Sequence, residues 1–222
     1  MEERHLAILR RHMVEVIEIH AELASEVLSK TALDERVMAA MGRVPRHAFV
    51  PAPLLRYAYD NMPLPIGFDK TISQPFMVAV MTDLLEPRAD DVVLEVGTGL
   101  GYQTAILAGL TGRVWTIEII EELATEAEIR LLQLRYTNVG IRIGDGGQGW
   151  REHAPFDKIL LSAAAASCPP ALVAQLRPGG RMVLPIGPSG DQRLSVVEKD
   201  ASGGIDVRAL MPVRFSQLET VR

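Results

Sequence analysis

The stretch Val92–Leu107, VVLEVGTGLGYQTAIL, decides the fold. Val92, Val93 and Leu94, with Val96 after Glu95, make a short apolar run, the pattern of a strand buried in a parallel sheet. Gly97, Gly99 and Gly101 follow on alternate positions, and Tyr102 to Leu110 reads as a helix. A strand that passes through glycines into a helix brings backbone N–H groups and a helix N-terminus close to a ligand. Glycine serves there because a Cβ would obstruct both the turn and the approach.

Working outward, strand and helix alternate from Asp91 onward. Strands are expected at 92–96, 113–118, 139–143, 157–162 and 181–186, and helices at 102–110, 120–134 and 169–177. Pro178-Gly179-Gly180 predicts a sharp stop before the fifth strand. Runs at 192–199 and 205–213, separated by Asp200-Ala201-Ser202-Gly203-Gly204, read as a hairpin. The expectation is a doubly wound α/β fold. Its seven-stranded sheet is mostly parallel, with an antiparallel edge hairpin and a ligand at the carboxyl ends of the strands.

Upstream the pattern changes. Leu6, Leu9, Met13, Val16, Ile17, Leu23 and Val27 recur at roughly helical spacing and predict one amphipathic helix over residues 3–29. A second helix begins at Asp34 as N-cap and stops before Pro45. A proline-punctuated segment then runs to Pro65. Residues 1–80 are therefore expected to form a helical, loop-rich arm carrying substrate-side residues. Residues 81–222 are expected to form the α/β domain, the whole being a single compact unit.

With 28 acidic against 23 basic residues, the chain is a poor candidate for a nucleic-acid surface held by general electrostatics. No apolar run reaches the ~20 residues needed to span a bilayer, and MEERHLAILRRHM is too charged for a secretory signal. One cysteine, Cys168, makes no internal disulfide, so a cytoplasmic location is the expectation. The five histidines show no metal-ligand spacing, so no metal is expected. The N-terminal helix has apolar residues enough to cover the sheet or to pair with a second copy, and the expected state is a monomer or weak homo-oligomer.

The glycine turn reads E-x-G-x-G-x-G, from Glu95 to Gly101, and not the dinucleotide fingerprint G-x-G-x-x-G, because Tyr102 stands where its last glycine would be. This form resembles the first motif of S-adenosylmethionine-dependent methyltransferases. Glu118 closes the run Val114-Trp115-Thr116-Ile117, about twenty residues on, where an acid suits a ribose diol. Further stretches join it: Thr71-Ile72-Ser73-Gln74-Pro75 before an apolar helix, Gly144-Asp145-Gly146, Ser162-Ala163-Ala164-Ala165, RVPRHAFVP from Arg43, and Pro212-Val213-Arg214-Phe215. Together, from about residue 40 onward, they resemble the protein-L-isoaspartate O-methyltransferases. TISQP is the motif specific to that family.

The resemblance implies a Rossmann-like methyltransferase fold and a repair reaction on isoaspartyl-containing proteins and peptides. The free α-carboxylate of an L-isoaspartyl residue is methylated by S-adenosyl-L-methionine, which leaves S-adenosyl-L-homocysteine, and the ester recloses to succinimide. A carboxylate is already ionised at neutral pH, so this chemistry requires alignment and exclusion of water and no general base. The family places its key serine at Ser73; the alternative is that Ser73 caps the following helix. Thr71, Ile72 and Lys70 flank it on the substrate side, and Ala164 and Ala165 leave room for a peptide backbone or pack under a helix. Gly97, Thr98, Gly99 and Gly101 are expected under the methionyl part. Glu95 is expected near its amino group, Glu118 at the ribose, and Ile119, Asp145 and Gly146 at the adenine; Asp145 reads equally as a turn former before glycine.

The chain departs from the family at Asp69-Lys70, where Gly-Gln or Gln-Ala is usual, and at Gln217, where proline is usual. The first departure leaves open a specialised carboxyl methyltransferase acting on a dedicated peptide or a small acid, or a catalytically silent cofactor-binding module.

Overall fold

The computed structural model describes residues 2–220. The arm holds α1 (Glu3–Leu23), α2 (Ser25–Leu28) and α3 (Glu35–Arg43), followed by a small hairpin of β1 (Leu64–Gly67) and β2 (Lys70–Ile72). The sequence pattern predicted one helix over 3–29; instead the helix breaks at Ala24, and a left-handed Ser29 ends the second piece. Asp34 caps α3 as expected, accepting from Arg36 N at 2.7 Å. Asp34 N in turn donates to the buried Asp83 carboxylate of α4 (Pro75–Leu85), which also pairs with Lys30. Removing Lys30 leaves the buried Asp83 carboxylate without its counter-charge, and this pair ties the arm to the rest of the chain.

The sheet is built from β3 (Val92–Val96), α5 (Tyr102–Ala108), β4 (Arg113–Glu118), α6 (Glu121–Gln133), β5 (Val139–Ile143), β6 (Phe156–Leu161), α7 (Pro170–Gln175), β7 (Leu176–Ile186), β8 (Gln192–Lys199) and β9 (Ile205–Val213). Strand order is β5-β4-β3-β6-β7-β8-β9, parallel from β5 to β7 and antiparallel through β8 and β9. The doubly wound expectation therefore holds, with the order reversing between β3 and β6. Ligands sit at such a reversal, outside the carboxyl ends of the strands.

Alternate strand residues serve opposite faces. Val93, Val114, Leu160 and Val183 join a cluster with Met13 and Ile17 of α1 and Met41 of α3; Leu94, Ile159, Leu161 and Met182 pack with Leu172 of α7. The predicted stop at Pro178-Gly179-Gly180 is corrected. Leu176 already pairs with Phe156 and Arg181 with Lys158, so the glycines form an outward bulge inside β7. Fully buried Arg46 lies over the Tyr102 ring at 4.8 Å and donates from Nε to Ala58 O; burial lowers its pKa to about 10, still charged at neutral pH.

Candidate active site

A cavity of about 740 Å³ opens at the strand reversal, within the range of small-ligand sites. Its floor is the β3–α5 turn. Gly97 and Gly99 have φ of +93° and +55°, a conformation that resists side chains, so the turn presents bare backbone to the cavity. Glu118, at the end of β4, is nearly buried and locks the turn: Oε2 accepts from Gly99 N at 2.8 Å and Oε1 from Ile120 N at 3.1 Å. The Thr98 hydroxyl is 2.6 Å from that of Thr116, which holds the turn from behind. Ile119 and Gly146 continue the wall. A Cβ on Gly146 would stand 2.4 Å from Val96 Cγ1, so only glycine lets this segment approach β3 so closely.

The facing wall is the arm's. Lys70, Thr71, Ile72 and Ser73 all line the cavity, with Gln74 and Met77 beyond them. Ser73 does not cap α4: the N-cap is Gln74, without a side-chain cap bond, and Pro75 occupies the first turn. The N–H of Phe76, which has no partner within the helix, is met by Asn61 Oδ1 at 3.0 Å, while Gln74 Nε2 donates to Asn61 O at 3.0 Å. Asn61 thus fixes the TISQP turn from outside, and no hydrogen bond engages the Ser73 hydroxyl among the described residues. The Lys70 ammonium pairs with Glu219 across the cavity mouth.

Five predicted residues stand behind the wall and not in it. Glu95 is fully buried, accepting from Thr104 Oγ1 at 2.5 Å, and burial pushes its pKa up to about 8. Gly101 starts α5 against Leu131 of α6. Asp145 caps a short turn, accepting from Gly147 N at 2.8 Å. Ala164 and Ala165 are bridged through their backbones, Ala164 to Ser216 and Leu218, Ala165 to Pro185 and Gly187. Their small side chains are packed, and what reaches the cavity is the segment that Ala164 holds: residues 212–219 line one side. Gln192 reinforces that segment, accepting from Phe215 N at 2.6 Å and donating to Phe215 O at 3.0 Å. Gln217, in the usual place of proline, donates to Gly187 O at 3.2 Å and lines the cavity. Ser162 and Ala163 after β6 are wall residues too. Pro212-Val213-Arg214-Phe215 was visible as a motif, but nothing in its pattern indicates that it folds back over the sheet.

Glu95 gives a test of its own. Its folded pKa of about 8 lies above the ordinary value of 4.5. Between the two, the folded chain keeps a proton that the unfolded chain has lost. Stability contributed by this group therefore falls as pH rises through that window and is gone above about 8. Glu95→Gln, which cannot ionise, is expected to flatten that decline and to be more stable than the parent at pH 9 by on the order of a few kcal/mol. Parallel melting-temperature profiles from pH 6 to 9 would contradict the assignment.

No helix among the described residues is long and apolar enough to cross a membrane, and no group of three or more His, Cys, Asp or Glu among them could hold a metal ion. A family profile described as "Protein-L-isoaspartate(D-aspartate) O-methyltransferase (PCMT)" matches residues 19–221. A protein-L-isoaspartate O-methyltransferase of Polaromonas sp. is 57% identical over 99% of this chain and 93% of its own length. Among solved structures, a protein-L-isoaspartate O-methyltransferase superposes with a TM-score of 0.81 at 22% identity, covering 94% of this chain and 65% of that one. A second, from Plasmodium falciparum and in complex with S-adenosyl-L-homocysteine, gives 0.74 at 24% identity, over 85% and 92%.

Proposed function

The chain belongs to the protein-L-isoaspartate(D-aspartate) O-methyltransferase family, and we propose that Ser73, the glycine turn and Glu118 carry its reaction, methyl transfer from S-adenosyl-L-methionine to the free α-carboxylate of L-isoaspartyl residues. The relatives favour this over a tailoring enzyme or a silent module, since they bear the isoaspartyl name across nearly the whole chain.

The residues present fit the cofactor. Bare backbone at Gly97 and Gly99, a clamped carboxylate at Glu118 and a glycine at 146 leave room where a nucleoside and its amino-acid tail would lie. When bound, S-adenosyl-L-methionine supplies a methyl group on an electrophilic sulfonium. Glu118 is held by two backbone N–H groups and has lone pairs left for the ribose hydroxyls. Thr98 and Ile119 flank that position. Glu95, Gly101 and Asp145 act at second hand, by holding the turns that make the wall. Ala164 does the same for the substrate side by anchoring residues 216–218, and Ala165 by holding the end of β7 at Pro185 and Gly187.

On that side the substrate carboxylate arrives ionised and needs no proton acceptor. Ser73 donates its hydroxyl to one carboxylate oxygen and sets the direction of the other. Thr71 and Ile72 complete the wall, and Lys70 exchanges its Glu219 partner for the incoming carboxylate. Excluding water from the pair raises the reactivity of both, because neither charge is then hydrated.

The single observation that carries this reading is the Ser73 hydroxyl, free of any cap bond and in one cavity with Glu118 and the glycine turn. Its test is a pair of peptides identical except for an isoaspartyl or a normal aspartyl linkage. Labelled methyl is expected on the first and not on the second; equal transfer to both, or none to either, removes the repair reading.

We further infer that the enzyme works in the cytoplasm on protein and not on nucleic acid, as a monomer or weak homo-oligomer. The excess of acids and the lone half-buried Cys168 support the first two points. On α1, the exposed large apolar side chains are Ile8 and the neighbouring pair Ile19 and Leu23, too few for a large interface.

A further inference from the structure

The hairpin β1–β2 turns through Phe68 and Asp69, with Gly67 opposite Lys70. All three residues from Gly67 to Asp69 are left-handed, with φ of +95°, +53° and +54°. Two-residue hairpin turns demand this backbone and are normally built from Asn-Gly or Asp-Gly. A bulky aromatic residue in that conformation is a genuine outlier. Strained residues of this kind persist where the surroundings hold them and concentrate at functional sites. Here the strain is not relieved by burial, since the Phe68 side chain is 52% exposed.

Position gives the exposure a meaning. Phe68 stands between Ile66 and Lys70, both walls of the cavity, and the same hairpin leads straight into Ser73. Met62, 47% exposed, precedes Pro63, another wall residue. Neither side chain lines the cavity itself; both are exposed apolar groups next in the chain, or next but one, to residues of its arm-side wall. Resting on the isoaspartyl reading above, we propose that Phe68 and Met62 are specificity residues. They bind an apolar side chain of the substrate polypeptide next to the isoaspartyl residue, so that the enzyme selects damaged sites by their neighbours. On this proposal a substrate chain whose reacting carboxylate reaches Ser73 lies along the β1–β2 hairpin, and burying part of a phenyl ring against an apolar neighbour contributes affinity roughly in proportion to the area covered.

The test uses the full chain with two isoaspartyl peptides, one flanked by leucines and one by serines. Phe68→Asn is the informative variant, because asparagine accepts the left-handed turn better than phenylalanine does. Its melting temperature is expected to hold or rise. KM for the leucine-flanked peptide is expected to increase about ten-fold with kcat unchanged, and KM for the serine-flanked peptide to stay put; Met62→Ser is expected to shift the same KM by a smaller factor. Binding of the same peptides, fluorescein-labelled and followed by anisotropy, reads this contact without turnover, so failure of methyl transfer would strike the reaction and not this proposal. Equal affinity of the parent protein for both peptides, or an equal loss for both in Phe68→Asn, would overturn it.

Discussion

In the Glu118→Ala protein, affinity for S-adenosyl-L-homocysteine is expected to fall by about 100-fold or more and the melting temperature to drop by at least about 5 °C. The first effect follows from removing the carboxylate proposed to meet the ribose, since hydrogen bonds to a charged group contribute about 1.5–3 kcal/mol each. The second follows from Gly99 N and Ile120 N, both of which lose their acceptor in a nearly buried place. Each unpaired donor costs about 1–3 kcal/mol, which in a chain of 222 residues is worth a few degrees per kcal/mol. Glu118→Gln retains one acceptor and is expected to lie between. Calorimetric titration and thermal melting measure the two effects separately. Undiminished affinity in Glu118→Ala would remove this residue from the cofactor site.

Ser73→Ala is expected to lower kcat about 100-fold while leaving cofactor affinity and melting temperature where they were. The size is that of losing the group that aims a reactant, for which small misplacements carry about that penalty. The absence of a stability effect follows from the structure, in which Gln74 occupies the N-cap and Asn61 satisfies Phe76 N. Steady-state kinetics with an isoaspartyl peptide, beside a melting curve, distinguishes the roles. A lower melting temperature with kcat intact would return Ser73 to a structural part.

How legible all this was in the chain depends on the kind of element. The strands Val92–Val96, Arg113–Glu118 and Val139–Ile143, and the edge hairpin Gln192–Lys199 with Ile205–Val213, agree with the apolar runs residue for residue. Buried parallel strands announce themselves as continuous hydrophobic stretches, and Asp200–Gly204 marks the hairpin. Where a long-range partner decides, local reading fails. Pro178-Gly179-Gly180 looks like a terminator, yet pairing with Phe156 carries β7 past it to Leu176. The hairpin Leu64–Ile72 went unread because Phe-Asp is not a turn signature.

The candidate site divides the same way. Gly97, Gly99, Glu118, Ser73 and their neighbours could be placed because a short motif fixes them to a strand end. Glu95, Gly101, Asp145, Ala164 and Ala165 sit beside those motifs in sequence and one layer behind the cavity in space. Alternation explains Glu95: next to Leu94 on a strand, it points to the opposite face, under α5. The contribution of residues 212–219 depends on Gln192 and Ala164, contacts separated by dozens of residues. No window of sequence contains both partners.

That last wall has a bearing on biosynthesis. Every recognisable motif up to Ile186 leaves the ribosome well before Phe215, Gln217 and Glu219, which enclose one side of the chamber. A nascent chain halted between those points carries TISQP, the glycine turn and Glu118 and still lacks one side of the enclosure. The chamber is thus walled on that side only once synthesis has moved past Glu219 and the segment has bonded to Ala164 and Gln192.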